Sequence, residues 1–343
     1  MAAWIGEGSM RHDRRRLLTF SIVCVFLVAG AGVASGRDER PGPPLRVGLL
    51  LSGFEPSYAQ VEQAFLGGMR EAGFVEGRNL TVERRYAHLQ PDRMAGHARD
   101  LAALNLDAIV TGCTGSTRAV QRATSRIPIV MASVADPVGQ GFVRSLAQPG
   151  TNVTGRSSQS RALVPKMLEL LRGAVPKAQR IAVLVNTLNT VHEPLWTDAV
   201  AAAPALGIDL VRVEMRGPAE LDAALERLAR AGADALFVLP DDPALHNLRG
   251  RLVARVSALG LPSLFGMREF VDEGGLMSYG ERFADTYRHA APYVAKVTRG
   301  TNPAELPIEQ PTHFELVINL RTAAALGLTI PRVVLLRASA TVR

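Results

Sequence analysis

The sequence predicts an α/β protein of two lobes, each built on a parallel sheet, with the chain passing between them more than once. Three observations lead there. Short apolar runs alternate with helical patterns from Leu45 onward. The alternation restarts after a Gly- and Pro-rich stretch that ends near residue 155. Strand patterns then recur at 274–280 and 313–320, and these must join sheets that already exist.

The chain has 343 residues, which suits two domains better than one. Aromatics make up 5% of it, so the core must be aliphatic. Residues 1–34 form a separate object. Arg11, Arg14, Arg15 and Arg16 precede an apolar run from Leu17 to about Val33, closed by Gly32-Val33-Ala34-Ser35. That is the pattern of a secretory signal cleaved near Ala34, and residues 35–44 read as a disordered leader. Cleavage removes Cys24 and leaves Cys113 without a disulfide partner. Four Arg leave with the signal against Glu7 and Asp13, so the net charge of +7 falls by two. Lys and Arg are scattered with no aromatic interleaving, which excludes nucleic acid as the expected partner.

The elements follow in order. LRVGLLLS (45–52) is a continuous apolar run, as in a strand covered on both faces. Ser57 with Gln60 reads as the capped start of a helix that stops at Gly73. Strands follow at 79–87, 107–112 and 127–133, with helices at 92–104 and 116–124 between them. After the break come a helix at 163–172 and strands at 180–186, 209–214, 234–240 and 261–266. Helices at 194–206, 220–231 and 244–258 separate these strands, the last capped by Asp242-Pro243. A strand at 274–280, a helix at 283–299, an extended segment at 305–311, a strand at 313–320 and a short helix near Leu326 complete the pattern. The expected division places 45–155 and about 280–305 in the N-terminal lobe. It places 156–279 and about 306–330 in the C-terminal lobe, with 331–343 as a loosely docked tail. Passages near Gly155, Tyr279 and Pro307–Pro311 would then form a multi-strand hinge.

The stretch DPVGQGFVRSLAQPGTNVTG (136–155) holds four Gly and two Pro but no His or Cys. It lies past the end of a strand, where ligands of open parallel sheets bind. Its composition suits a cleft rim and a hinge strand, a role of shape that needs no catalyst. Together with GGLMSYG (274–280) and EQPTHFELVINLRTAAALGL (309–328), it resembles the ABC-transporter substrate-binding protein family that includes tryptophan- and phenylalanine-binding members. The resemblance covers about residues 45–332. It implies a type I periplasmic-binding-protein fold, in which two Rossmann-like lobes close on a small molecule. It also implies an ABC permease of the inner membrane as partner, a periplasmic location and a monomer.

Candidate ligand contacts fall in the loops past strand ends. Phe54 or Tyr58 could stack on a ligand ring or pack at the helix start, and Glu55 could meet an ammonium. The loop Thr111-Gly112-Cys113-Thr114-Gly115-Ser116 joins a strand end to a helix start, where free N–H groups and hydroxyls suit a carboxylate. Gly112 and Gly115 let the backbone approach there, while Thr114 or Ser116 could equally cap the helix. Cys113 and Thr114 in this turn depart from commoner family members. Asp136 could accept from an amine or cap a turn. In the second lobe Asn186, Asn189 and Asp241 lie past strand ends, and Asp241 is the better candidate for an ammonium because Asp242 reads as a helix cap. Tyr279 lies at an expected passage and either reaches the cleft or packs in the hinge.

No GxSxG, GxxxxGK[ST], HExxH or GxGxxG motif is present, and the seven His are dispersed. The reading is therefore a binding protein with no cofactor, no metal and no catalytic residue. Solute capture for an importer is the first expectation. A sensor or accessory protein reporting to a membrane receptor is the alternative.

Overall fold

The computed structural model describes residues 43–343. The expected export signal (1–34) and most of the expected leader lie outside the described residues. The first lobe runs β1 (Leu45–Leu51), α1 (Glu55–Glu71), β2 (Leu80–Tyr86), α2 (Pro91–Ala103), β3 (Ala108–Thr111), α3 (Thr114–Ala123), β4 (Ile129–Val134) and β5 (Val153–Ser157). Its sheet has the order β2-β1-β3-β4-β5, all parallel. Val47 pairs with Val82 on one side and Ala108 on the other, so β1 is central and its apolar run is buried.

The second lobe begins with α4 (Ser160–Ala174), β6 (Arg180–Asn186), α5 (His192–Leu206), β7 (Asp209–Met215), α6 (Leu221–Arg230) and β8 (Ala235–Val238). It continues with α7 (Pro243–Asn247), α8 (Arg249–Ala258), β9 (Ser263–Phe265), α9 (Arg268–Asp272) and β10 (Met277–Gly280). Next come α10 (Phe283–Thr298), β11 (Glu315–Asn319), α11 (Leu320–Ala325), α12 (Arg332–Leu335) and β12 (Ala340–Val342). The sheet order is β12-β11-β10-β9-β8-β6-β7, with β11 antiparallel to β10 and the other pairs parallel.

The chain passes between the lobes three times. It leaves β5 of the first sheet for α4, which packs in the core of the second lobe. It returns from β10 through α10, whose Ala290, Ala291 and Val294 pack with Phe65 and Met69 of α1. Residues 306–309 then run beside β5. Thr154 Oγ1 donates to the Leu306 carbonyl at 2.7 Å, and the Glu309 N–H donates to the Gly155 carbonyl at 3.0 Å. The third passage follows, ending in β11. Gly155 has φ of 118°, and a Cβ there would run into the Met131 backbone of β4, which explains a glycine at this position. An ion pair joins two of the passages: buried Arg156 at the end of β5 donates to the partly buried Glu281 Oε1 at 2.7 Å.

Several expectations need correction. The tail is not loosely docked, because β12 adds a parallel edge strand beside β11 and Val334 of α12 is buried in the second core. Helix 1 begins at Glu55 with Pro56 in its first turn, and neither Ser57 nor any other side chain caps it. The expected helix 244–258 is broken at Leu248 into α7 and α8. Ile308 lies in the core of the first lobe. The rim stretch is also more than a rim, since Phe142 is wholly buried in that same core.

Candidate functional site

A cavity of about 70 Å³ lies between the lobes. Tyr58, the β3–α3 turn and Phe283 line it from the first lobe. Ser158, the Pro240–Pro243 loop, His246 and Tyr279 line it from the second lobe and the passages. It shares Cys113, Thr114 and Asp241–Pro243 with a wider groove of about 780 Å³ on the outer side of the cleft. The groove is rimmed by Arg99, Arg118, Arg122 and Arg216.

The β3–α3 turn follows from its capping chemistry. Cys113 is extended, and its Sγ accepts from the Ser116 N–H at 3.4 Å. Ser116 Oγ accepts from the Cys113 N–H at 3.3 Å, which closes a capping box. Ser116 and Thr117 thus spend their N–H groups locally. Those of Thr114 and Gly115 lack an intrahelical partner, as at any helix start, and both residues line the groove. Cys113, rather than Thr114, therefore caps α3. Gly112 serves packing as well as approach, because a Cβ there would strike the Tyr287 ring of α10.

The opposite wall is an acidic loop held by a buried network. Asp242 Oδ1 accepts from the N–H groups of Ala244 and Leu245, capping α7. Its Oδ2 accepts from Asn186 Nδ2 at 2.8 Å. Asn186 Oδ1 accepts from the Leu188 and Gly217 N–H groups, so this amide is fully used in structure. Asn189 Nδ2 donates to the Asp241 carbonyl at 2.9 Å. His192, wholly buried, accepts the Asn186 N–H on Nδ1, which leaves its proton on Nε2 facing the Pro240 carbonyl at 3.2 Å. Burial depresses the His192 pKa and keeps the ring neutral.

This network presents Asp241 in a left-handed conformation, φ 61°, with its carboxylate at the cavity. Ser158 Oγ donates to Asp241 Oδ2 at 2.9 Å. Among the described residues no Lys or Arg forms an ion pair with Asp241; its titratable neighbours are Asp242 and the neutral His192. Desolvation raises its pKa above the ordinary Asp value, opposed by hydrogen bonds from Ser160 and Ser158. An ammonium entering the cavity would favour the charged form.

The aromatic wall combines both lobes. Tyr58 is buried, shares a 2.7 Å hydrogen bond with Ser52 Oγ, and has its phenol pKa raised by burial. His246 lies 4.8 Å from the Phe283 ring centroid and 6.5 Å from that of Tyr58.

Of the residues expected at the site, Tyr58, Gly112, Cys113, Thr114, Asp241 and Tyr279 line the cavity. Asn186 and Asn189 line the outer groove and support the acidic loop. Four are placed elsewhere. Phe54 is exposed and stacks on His88 at 5.0 Å. Glu55 also turns to His88 rather than inward. Ser116 is buried as the capping partner. Asp136 has φ 44° and accepts from the Gly139 N–H at 2.9 Å, so it caps its own turn. The sequence reading missed His246, Phe283 and Ser158. Asp242-Pro243 marked the helix that carries His246, but nothing local shows that its first turn meets α1 and α10 across the cleft.

Comparison with known proteins agrees with this architecture. Residues 47–342 match the family model described as ABC transporter substrate binding protein. A tyrosine-binding protein of Clostridioides difficile (strain R20291) is 26% identical over 275 residues, covering 80% of this chain and 78% of that protein. The crystal structure of an ABC domain in complex with L-Trp from Streptococcus pneumonia superposes with a TM-score of 0.80 at 23% identity. That match covers 87% of this chain and 100% of that one. The ligand-free, open structure of a substrate-binding protein with adhesive properties from Clostridium difficile covers the same shares at 23% identity, with a TM-score of 0.63. The chain belongs to the ABC transporter substrate-binding protein family.

Proposed function

We propose that this protein captures an L-α-amino acid, or a closely related small carboxylate, in the interlobe cavity and delivers it to an ABC importer of the inner membrane. The observation that carries the reading is the pairing of opposite walls. Asp241 of the second lobe and the start of α3 in the first line one cavity, and among the described residues no Lys or Arg pairs with Asp241. A zwitterion satisfies both, its ammonium on Asp241 and its carboxylate at the start of α3 beside the Thr114 N–H. The aromatic wall then receives the side chain. The tyrosine-binding relative and the L-Trp complex support this solute class.

Closure follows if the ligand binds the closed arrangement better than the open one. Contacts to both lobes supply that difference. The work is done in the periplasm by a single exported chain, with no catalytic step. A micromolar Kd corresponds to about −8 kcal/mol, within reach of two charge-assisted contacts and buried side-chain area. The test is a thermal-shift screen of the purified protein against amino acids, nucleosides, sugars and small carboxylates after any native ligand is stripped. A saturable shift confined to α-amino acids supports the reading; a shift confined to another class replaces it.

A further inference from the structure

The space between the lobes has two compartments, and an α-amino acid occupies only the inner one. The outer groove measures about 780 Å³ against about 70 Å³ for the cavity. The two meet at Cys113, Thr114 and Asp241–Pro243. With the ammonium on Asp241, the carboxylate beside Thr114 and the side chain on the aromatic wall, a ligand can grow into the groove through its carboxyl carbon. Apolar surface awaits it there, from Met94 and Ala119 of the first lobe and Leu188 and Pro218 of the second.

The charge around the groove describes what the extension carries. Arg99 of α2, Arg118 and Arg122 of α3, and Arg216 just after β7 line it. Among the described residues none of these four forms an ion pair. Arg212, within β7, shows the contrast by pairing with Glu193 and Glu214. Of the two carboxylates at the inner end of the groove, Asp242 caps α7 and Asp241 faces the cavity. Arg118 is held in place by uncharged groups: its guanidinium lies 4.8 Å from the Phe142 ring centroid, and its Nη2 donates to Gln140 Oε1 at 2.6 Å. Like charges brought to one groove by both lobes oppose closure unless an anion lies between them. Arg118 stands one turn, about 6 Å, beyond Thr114 along α3, and helix side chains lean back toward the N-terminus. A residue added through the carboxyl carbon carries a carboxylate about 3.5 Å further, which an arginine side chain can meet. We infer that the groove is a second ligand compartment that takes an anionic extension, so that the captured solute is of dipeptide size with an acidic second residue.

The inference rests on the amino-acid reading above and names a larger solute for the same site. Calorimetric titration of the ligand-stripped protein compares L-tyrosine, L-tyrosyl-L-glutamate and L-tyrosyl-L-lysine. The two dipeptides share a backbone and differ in the charge they bring to the groove. The glutamate dipeptide is expected to bind at least as tightly as tyrosine, and about tenfold or more tightly than the lysine dipeptide, as follows from one charge-assisted contact. Arg122 and Arg216 are exposed, so changing them leaves the cores untouched. The double variant Arg122→Gln/Arg216→Gln is expected to reduce the preference for the glutamate dipeptide severalfold. Arg122→Lys/Arg216→Lys, which keeps both charges, is expected to retain most of it. Tyrosine bound more tightly than both dipeptides, similar affinity for the two dipeptides, or a preference unmoved in the Gln variant would overturn the inference and leave the amino-acid reading intact. Binding of none of the three compounds would overturn both.

Discussion

Ser158 Oγ stands 2.9 Å from Asp241 Oδ2 and donates to it. The contact links the passage that leaves β5 to the one carboxylate in the cavity that lacks a protein cation or a capping role. Asp241→Asn keeps the shape and removes the charge. Losing a charge-assisted contact of about 1.5–3 kcal/mol is expected to weaken amino-acid binding roughly ten- to hundredfold, read by calorimetry. The wild-type carboxylate must be ionised to bind an ammonium, and its pKa is raised. Affinity should therefore increase with pH through that raised value, and the slope should vanish in the Asn variant.

Cys113 is the free cysteine of the described residues and lines the cavity at the start of α3. A ligand seated on that turn covers its sulfur. Iodoacetamide labelling at Cys113, followed by peptide mass, is expected to slow at least about tenfold at saturating ligand occupying ten times its Kd. Unchanged labelling would place the ligand away from α3.

Between them, the passages and strand ends divide into what was legible and what was not. Two α/β lobes and three passages could be read because buried parallel strands leave long apolar runs, and LRVGLLLS and RIAVLVN sit where β1 and β6 do. The loops past strand ends were legible as places, and Asp241 and Thr114 fell in them. Side-chain direction was not. Glu55 and Asp136 looked equivalent to Asp241, yet one turns to His88 and the other closes its own Asx-type turn. His246 was illegible because its partners, Tyr58 and Phe283, lie far away in the chain.

Arg156, buried, and Glu281, partly buried, form an ion pair between the β5 and β10 passages. Removing one partner leaves the other charge largely uncompensated, at a cost on the order of 1–3 kcal/mol. Arg156→Met and Glu281→Gln should each lower the urea midpoint, and the double variant should lose clearly less than the summed single losses. Strict additivity would show that the pair does not tie the passages together.

His246 gives stability a pH dependence of known sign. Its pKa is about 4 in the folded chain against 6.5 for the free side chain, mainly through burial. Between those values the unfolded chain binds more protons, so stability falls as pH drops through the window. The full loss for this group is of order 3 kcal/mol. His192 acts in the same direction and Asp241 in the opposite one, so the difference between wild type and His246→Phe isolates the group. The variant is expected to lose less stability than wild type between pH 7 and pH 4.5. Parallel pH profiles would mean that His246 is solvated when folded.

Calorimetry of the ligand-stripped protein with a free L-α-amino acid, its N-acetyl derivative and its decarboxylated amine tests the two-walled cavity most directly. The opposing Asp241 and α3 walls predict tight binding of the free zwitterion and loss of at least about tenfold on blocking either charged group. Equal affinity for all three compounds, or no heat with any of them, would contradict the assignment of the cavity to an α-amino acid.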